Sequence, residues 1–408
     1  MASAYSLKAF LRVTPKALLA EYFHRQAIEL GIDLAALRER DIGPITAALE
    51  RLPRETADKI ETDFNHINLL TNDAGAKALH QELRHLGDAG AFNGDYSKHS
   101  LAAVALRALL DHRDAFEMAL LFRPYFDQGR YWRKVSGLPF GLPANPHAHV
   151  ENLTACLKDY FRTREGRGRN CKVDYYRRDT RHFYLAFPES YPEVVQAWQA
   201  DELEAIHIRP AFEVAFVFDE VNKCLDTCFE GARQDSVALA DTFAEAVCGA
   251  SIPRQLYDKP AYDLAPLKRR NFRFPIPSES GVSQMCAKKM RFILPGPEKP
   301  QVMISADVDG EKGAGALHDA IERIFVTTEG IPSDRQRYAV ARPIWVEIVA
   351  DFKAPNRKGY SRRTFGISGS NSSCTLRHDG EDLALRKILQ SAGIEIPPGR
   401  GADVRQIA

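Results

Sequence analysis

FEVAFVFDEVNKCLDTCF, residues 212–229, decides the fold class. Two runs rich in aromatic and β-branched residues, Phe212–Phe218 and Cys224–Phe229, flank the short polar connection Asp219-Glu220-Val221-Asn222-Lys223. That pattern predicts a β-hairpin, because such side chains suit a half-buried pleated surface and the polar connection suits a turn. Just downstream, Ser236–Cys248 places Val237, Leu239, Ala240, Phe243, Ala244 and Val247 at helical spacing, and Gly249 ends the run. Upstream, Cys171–Arg177 and His182–Phe187 alternate like further strands. Residues 150–252 thus read as a β-meander capped by a helix.

Working outward, a second unit of the same kind covers 281–408. Strands are expected at Met290–Leu294, Val302–Ala306, Ile344–Phe352, Arg363–Ile367 and Cys374–Arg377, and helices at Ala316–Phe325 and Glu381–Ala392. Both units run from strands to a closing helix, which hints at duplication. Residues 253–280 carry five prolines and read as a linker with one short strand, Asn271–Pro275. Residues 136–149, SGLPFGLPANPHAH, are a Gly/Pro-rich boundary, followed by a helix at Val150–Thr163. Residues 1–135 read as helical, with helices expected at Lys16–Leu30, Leu34–Arg40, Pro44–Leu52, Glu55–Leu70, Gly75–Leu86 and Ser100–Phe122. The class is therefore α+β: an all-helical N-terminal domain followed by two antiparallel β-meander/helix units.

Composition narrows the class of protein. The 408 residues are 45% apolar and 27% charged, ordinary for a globular chain and far from a disordered one. No stretch approaches the roughly 18–20 apolar residues that span a bilayer, and the N-terminus does not read as a secretory signal. Seven cysteines are an odd number and widely spread, which suits reduced thiols in the cytoplasm better than a disulfide framework.

The net charge of +1 conceals strong segregation. Residues 128–182 carry +7, 266–300 carry +6 and 353–408 carry +5; residues 183–265 carry −10 and 301–352 carry −4. In the first basic block Arg162, Arg164, Arg167, Arg169 and Lys172 surround two glycines, ahead of a Tyr-rich strand bearing Arg177 and Arg178. A flexible Arg/Gly loop can follow phosphates, since guanidinium forks bind them bidentately, and Tyr160, Tyr175, Tyr176 and Tyr184 are available to stack bases. Lys268, Arg269 and Arg270 form a second cluster, with Arg273 beside it. Arg357, Lys358, Arg362 and Arg363 form a third, at a hairpin-like turn. If the three blocks converge, they make one polyanion-binding surface. The expected partners are DNA or RNA, bound through the phosphate backbone, and a protein partner on the N-terminal helical domain within a larger bacterial-type complex.

An enzymatic alternative rests on Asp307 and Asp309, in VMISADVDGEKGAG, with Asp351 and Lys353 in WVEIVADFKAP. An acid followed by acid-x-Lys on a neighbouring strand resembles the metal site of restriction-endonuclease-like nucleases. That resemblance implies carboxylates holding Mg²⁺ and a lysine positioning water. The interval from Asp309 to Asp351 is longer than usual there, and no upstream helix glutamate completes the set. The glycines at 310, 313 and 315 match neither a dinucleotide nor a P-loop order. No nucleophile elbow, zinc-protease helix or kinase signature is present, so the sequence leans to a non-enzymatic binding protein without a cofactor. The third possibility is a protein-interaction scaffold with no nucleic-acid role, whose charge blocks meet a protein partner or each other.

Overall fold

The structure, a computed structural model, describes residues 5–88, 100–127, 132–199, 202–309, 313–326, 341–353, 360–378 and 380–397. The chain divides into two compact units, Met1–Gln128 and Gly129–Ala408.

The first unit is helical throughout its described residues: α1 (Leu7–Val13), α2 (Lys16–Arg25), α3 (Gly43–Leu49), α4 (Arg54–Leu70), α5 (Asp73–His85), α6 (Leu101–Asp111) and α7 (Arg113–Asp127). Its core is built on Phe10, Tyr22, Phe23 and Phe64, with the Phe10 and Phe64 ring centroids 4.7 Å apart. The single helix expected over Ser100–Phe122 is two. His112, at φ −139°, interrupts it, and Arg113 starts the next helix. The segment expected as a helix at Leu34–Arg40 is a single 3₁₀ turn at Leu34–Ala36, started by Asp33 accepting the Ala35 N–H.

The second unit is one ten-stranded antiparallel sheet. Its strands are β1 (Trp132–Ser136), β2 (Cys171–Arg178), β3 (Arg181–Pro188), β6 (Val214–Asp219), β7 (Cys224–Cys228), β8 (Val282–Ile293), β9 (Gln301–Ser305), β10 (Arg342–Lys353), β11 (Tyr360–Ser368) and β12 (Ser373–Cys374). They run in the order β2-β3-β6-β7-β1-β12-β11-β10-β8-β9. A separate hairpin, β4 (Glu193–Gln199) with β5 (Glu202–Ile208), is inserted between β3 and β6. The helices are α8 (Val150–Glu165), α9 (Arg233–Phe243), the short α10 (Gln255–Asp258), α11 (Gly313–Val326) and α12 (Gly380–Ser391).

The register shows how the two β-rich halves join. Strand β1 lies between β7 and β12, with Lys134 opposite Asp226 and Trp132 opposite Cys374. Directly opposed residues share a sheet face, and neighbours along a strand alternate. Val135, Leu225 and Phe216 face α8 and α9 in one core. Lys134 and Trp132 therefore point the other way, the way of Cys374 and Ile367, whose core includes Leu317 of α11 and Leu385 of α12. The helices of the two halves thus cover opposite faces of one continuous sheet. The hint of duplication does not extend to connectivity. The first half is a simple meander, whereas β9 reaches β10 through α11 and β10 pairs on the far side of β8.

Two expectations need correction. Asn271–Pro275 is not a strand: Pro275 and Pro277 have no N–H for a ladder, and Phe272 and Phe274 instead pack against the core of the second half. Strand β1 and the hairpin β4–β5 were not anticipated. The first sits five residues long beside a Gly/Pro-rich run, and the second is largely exposed.

Candidate nucleic-acid interface

The first basic block is a corner formed by the end of α8, a turn and edge strand β2. Gly166 caps α8 in the left-handed region at φ 70°. Gly168, at φ 80°, places its backbone where a Cβ would lie 2.6 Å from the Phe161 Cβ, and its N–H donates to the Glu189 carbonyl at 2.8 Å. The glycines therefore fix a tight turn and do not serve as a flexible tether, contrary to the sequence expectation.

The turn divides the cations. Arg167 folds inward over the Phe212 ring at 3.8 Å and pairs with Glu165 at 2.6 Å. Arg178 is buried over Phe183. Both are committed to the fold. Arg162, Arg164, Arg169, Lys172 and Arg177 are exposed. Arg162 faces Asp159 at 3.5 Å, Lys172 faces Asp174 at 3.0 Å, and Arg177 lies 3.9 Å from Glu220. Such solvent-exposed pairs contribute about 0–1 kcal/mol, so a phosphate can replace the carboxylate at small cost. Arg164 lies over the Tyr160 ring at 5.1 Å. Of the tyrosines named for stacking, Tyr184 is fully buried and has no face to offer, while Tyr160, Tyr175 and Tyr176 are half-buried.

The other two blocks sit elsewhere. Lys268 donates to the Ala341 carbonyl at 2.7 Å, Arg270 pairs with Asp319 and Glu322 of α11, and Arg273 donates to the Arg270 and Phe272 carbonyls. Arg269 is exposed. Arg362 holds Asp351 with two donors, at 2.8 and 3.1 Å, and also pairs with Asp309. Arg363 holds Asp382 with two donors at 3.1 and 3.0 Å. Arg357 and Lys358 lie outside the described residues. Strand β11 is six positions from β2 in the sheet, about 29 Å at the usual spacing of about 4.8 Å. Among the described residues, Arg362 and Arg363 thus lie apart from the cations of the first block.

Two of the three acids considered for a metal, Asp309 and Asp351, meet on the Arg362 guanidinium. Arg362 and Asp351 are directly opposed across β11 and β10. The hydrogen bond from Arg362 lowers the pKa of the Asp309 carboxyl. Asp307 accepts the Asp309 N–H at 3.1 Å, and Lys353 is exposed at the end of β10. No group of three His, Cys, Asp or Glu side chains among the described residues is placed to hold a metal ion.

A buried charge cluster lies at the seam between the halves, and sequence reasoning missed it. Lys134 Nζ is 2.8 Å from Glu395 Oε1 and 3.2 Å from Asp226 Oδ2. Arg386 donates to the Leu376 and Arg377 carbonyls and lies 3.2 Å from His378 Nε2 and 3.7 Å from Glu395. All five side chains are at most 5% exposed. Burial works against the Lys134 charge, yet Asp226, Cys224 and Glu395 outweigh it and raise its pKa. Burial likewise pushes the Cys224 thiol up to about 12. The one sequence signal was a lysine inside the run Trp132-Arg-Lys-Val-Ser136, facing the side that Val135 does not.

The seam sets a pH response. Burial, with the charges of Arg386 and Lys134 beside it, holds His378 well below the usual imidazole range. Burial also lowers His182 and His318. The unfolded chain takes up these protons near pH ~6.5, while the folded chain resists them. This contribution is therefore complete above pH ~6.5 and is lost as pH falls through the lower folded values. Denaturant midpoints measured from pH 7 to pH 5 are expected to fall steadily; a level or rising midpoint refutes this assignment.

All seven cysteines are free thiols, and no helix among the described residues is long and apolar enough to cross a membrane. In comparison with known proteins, no protein-family model matches the chain and no curated protein matches it.

Proposed function

We propose that this chain is a nucleic-acid-associated binding protein of the cytoplasm that grips the phosphate backbone at the corner of α8 and β2. The supporting observation is that Arg162 and Arg164 at the end of α8, Arg169 in the turn and Lys172 on β2 are all exposed and, among the described residues, paired weakly or with no carboxylate. This is a narrower site than the sequence implied. Arg362 and Arg363 already hold internal carboxylates, so the reading rests on the first block, with Arg177 at its margin. Contacts of this kind supply affinity and register without reading bases. The helical unit Met1–Gln128 is left for a protein partner within a larger complex. The test is retention of a labelled oligonucleotide, single- and double-stranded, DNA and RNA, on a filter at ~50 mM salt. Retention that falls as salt rises is expected; no retention of any of the four rejects the reading.

A second reading, a protein-interaction scaffold, draws on the hairpin β4–β5. Val194, Trp198 and Leu203 share one of its faces and are 55–63% exposed. Residues 189–208 carry five acids and no Lys or Arg, which favours a basic protein surface over a nucleic acid there. Two-stranded hairpins are marginally stable alone, so an apolar face of this size gains from a partner. The nuclease alternative requires Arg362 to release Asp309 and Asp351 before a metal enters, and nothing else favours it.

A further inference from the structure

A small cavity of about 30 Å³ lies under the first turn of α9, where the helix crosses β1 and β7. Three polar atoms on its lining residues are buried without a hydrogen-bond partner among the described residues: Arg133 Nη1, Thr227 Oγ1 and Ser236 Oγ. Thr227 is 1% exposed and Ser236 is 3% exposed. Arg133 and Thr227 are directly opposed across β1 and β7, so their side chains share the face that α9 covers. Buried hydroxyls and guanidinium nitrogens left unpaired carry an uncompensated desolvation cost, and folded proteins seldom leave three together.

The charge around the cavity selects among occupants. Arg133 makes no ion pair among the described residues; its other nitrogen, Nη2, donates to the Gly231 carbonyl at 3.4 Å. A second guanidinium, Arg233, also lines the cavity and opposes the charge of Arg133, which burial already disfavours. The nearby acid, Asp235, is turned to the Ala232 N–H at 2.9 Å and makes no salt bridge among the described residues; its charge offsets burial and Arg233 only in part. The positive end of the α9 dipole adds to this field. One unpaired guanidinium nitrogen and two hydroxyl donors face this small space, with the Arg233 guanidinium beside it on the Tyr257 carbonyl at 3.0 Å, and they call for a negative charge at the centre.

We propose that Arg133, Thr227 and Ser236 form a site for a small monoatomic anion of the chloride class, which fastens the first turn of α9 to the sheet. The ion accepts hydrogen bonds from all three side chains. The probe is bromide. Crystals soaked in sodium bromide are expected to show an anomalous peak within hydrogen-bonding reach of Arg133 Nη1, Thr227 Oγ1 and Ser236 Oγ. In solution, chloride-35 line broadening at ~100 mM chloride, where screening is already strong, is expected for the wild type and lost in Arg133→Gln. Density that refines as water without anomalous signal overturns the proposal, and so does broadening unchanged in Arg133→Gln. Should Arg133→Gln fail to fold, the double substitution Thr227→Val with Ser236→Ala is read by the same two measurements.

Discussion

Lys134→Met is expected to destabilise the second unit by about 3–5 kcal/mol, the cost of breaking a buried pair by removing one partner. The reason is local. Lys134 lies between Asp226 and Glu395, which are 1% and 4% exposed, and methionine removes the cation that contacts both. Among the described residues Asp226 then keeps His378, 3.8 Å away and held neutral, and the charge of Arg386, which acts on Glu395 as well. Urea unfolding measures the difference. Arg254→Ala is the control: its pair with Asp241 leaves the arginine 78% exposed, and the expected cost is about 1 kcal/mol or less. A Lys134→Met variant as stable as that control would show that the seam is not held by this network.

The second large effect concerns cooperativity. Phe216 is fully buried in the first half, stacked on Phe243 at a centroid distance of 5.1 Å, and Ile348 is fully buried in the second half. Phe216→Ala is expected to cost about 3–5 kcal/mol and Ile348→Ala about 2–5 kcal/mol, from lost transfer free energy and the cavity left behind. Because β1 pairs with both β7 and β12, and the Lys134 network crosses the same seam, both substitutions are expected to shift one shared transition. Fluorescence of Trp132 at the seam and Trp345 in the second half reports it. If Phe216→Ala moves a transition that Ile348→Ala leaves in place, the halves are separate folding units.

These consequences depend on the parts of the structure that were least legible in the sequence. The hairpin Phe212–Phe229, the strands flanking it and the helix after it could be read because apolar period and turn chemistry agree there. The class followed from that agreement. Strand β1 could not be read, because five residues give too little period and Lys134 looks like a surface residue until its partners, Asp226 of β7 and Glu395 beyond α12, are brought in. Which face a helix covers is a property of register across strands, invisible in any one of them.

The same limit governs the site. Composition shows where cations are dense, but it does not show which of them the fold has already used. Arg362 and Arg363 are adjacent in sequence and point to opposite faces, one to Asp351 and Asp309, the other to Asp382. Arg167, flanked by the two glycines, looked like the centre of a phosphate loop and is stacked on Phe212. Arg162 and Lys172, less conspicuous, keep their charge at the surface.

The division of cations into spent and available ones is tested most directly by the salt dependence of nucleic-acid binding. Each phosphate contact to a duplex contributes about 0.9 to the slope of log K against log salt. Replacing Arg162, Arg164, Arg169 and Lys172 together by alanine is expected to lower the magnitude of that slope by about 3–4, with Lys268, Arg269 and Arg270 left intact. A wild-type slope retained in full by this variant would contradict the assignment of the phosphate contacts to the α8–β2 corner.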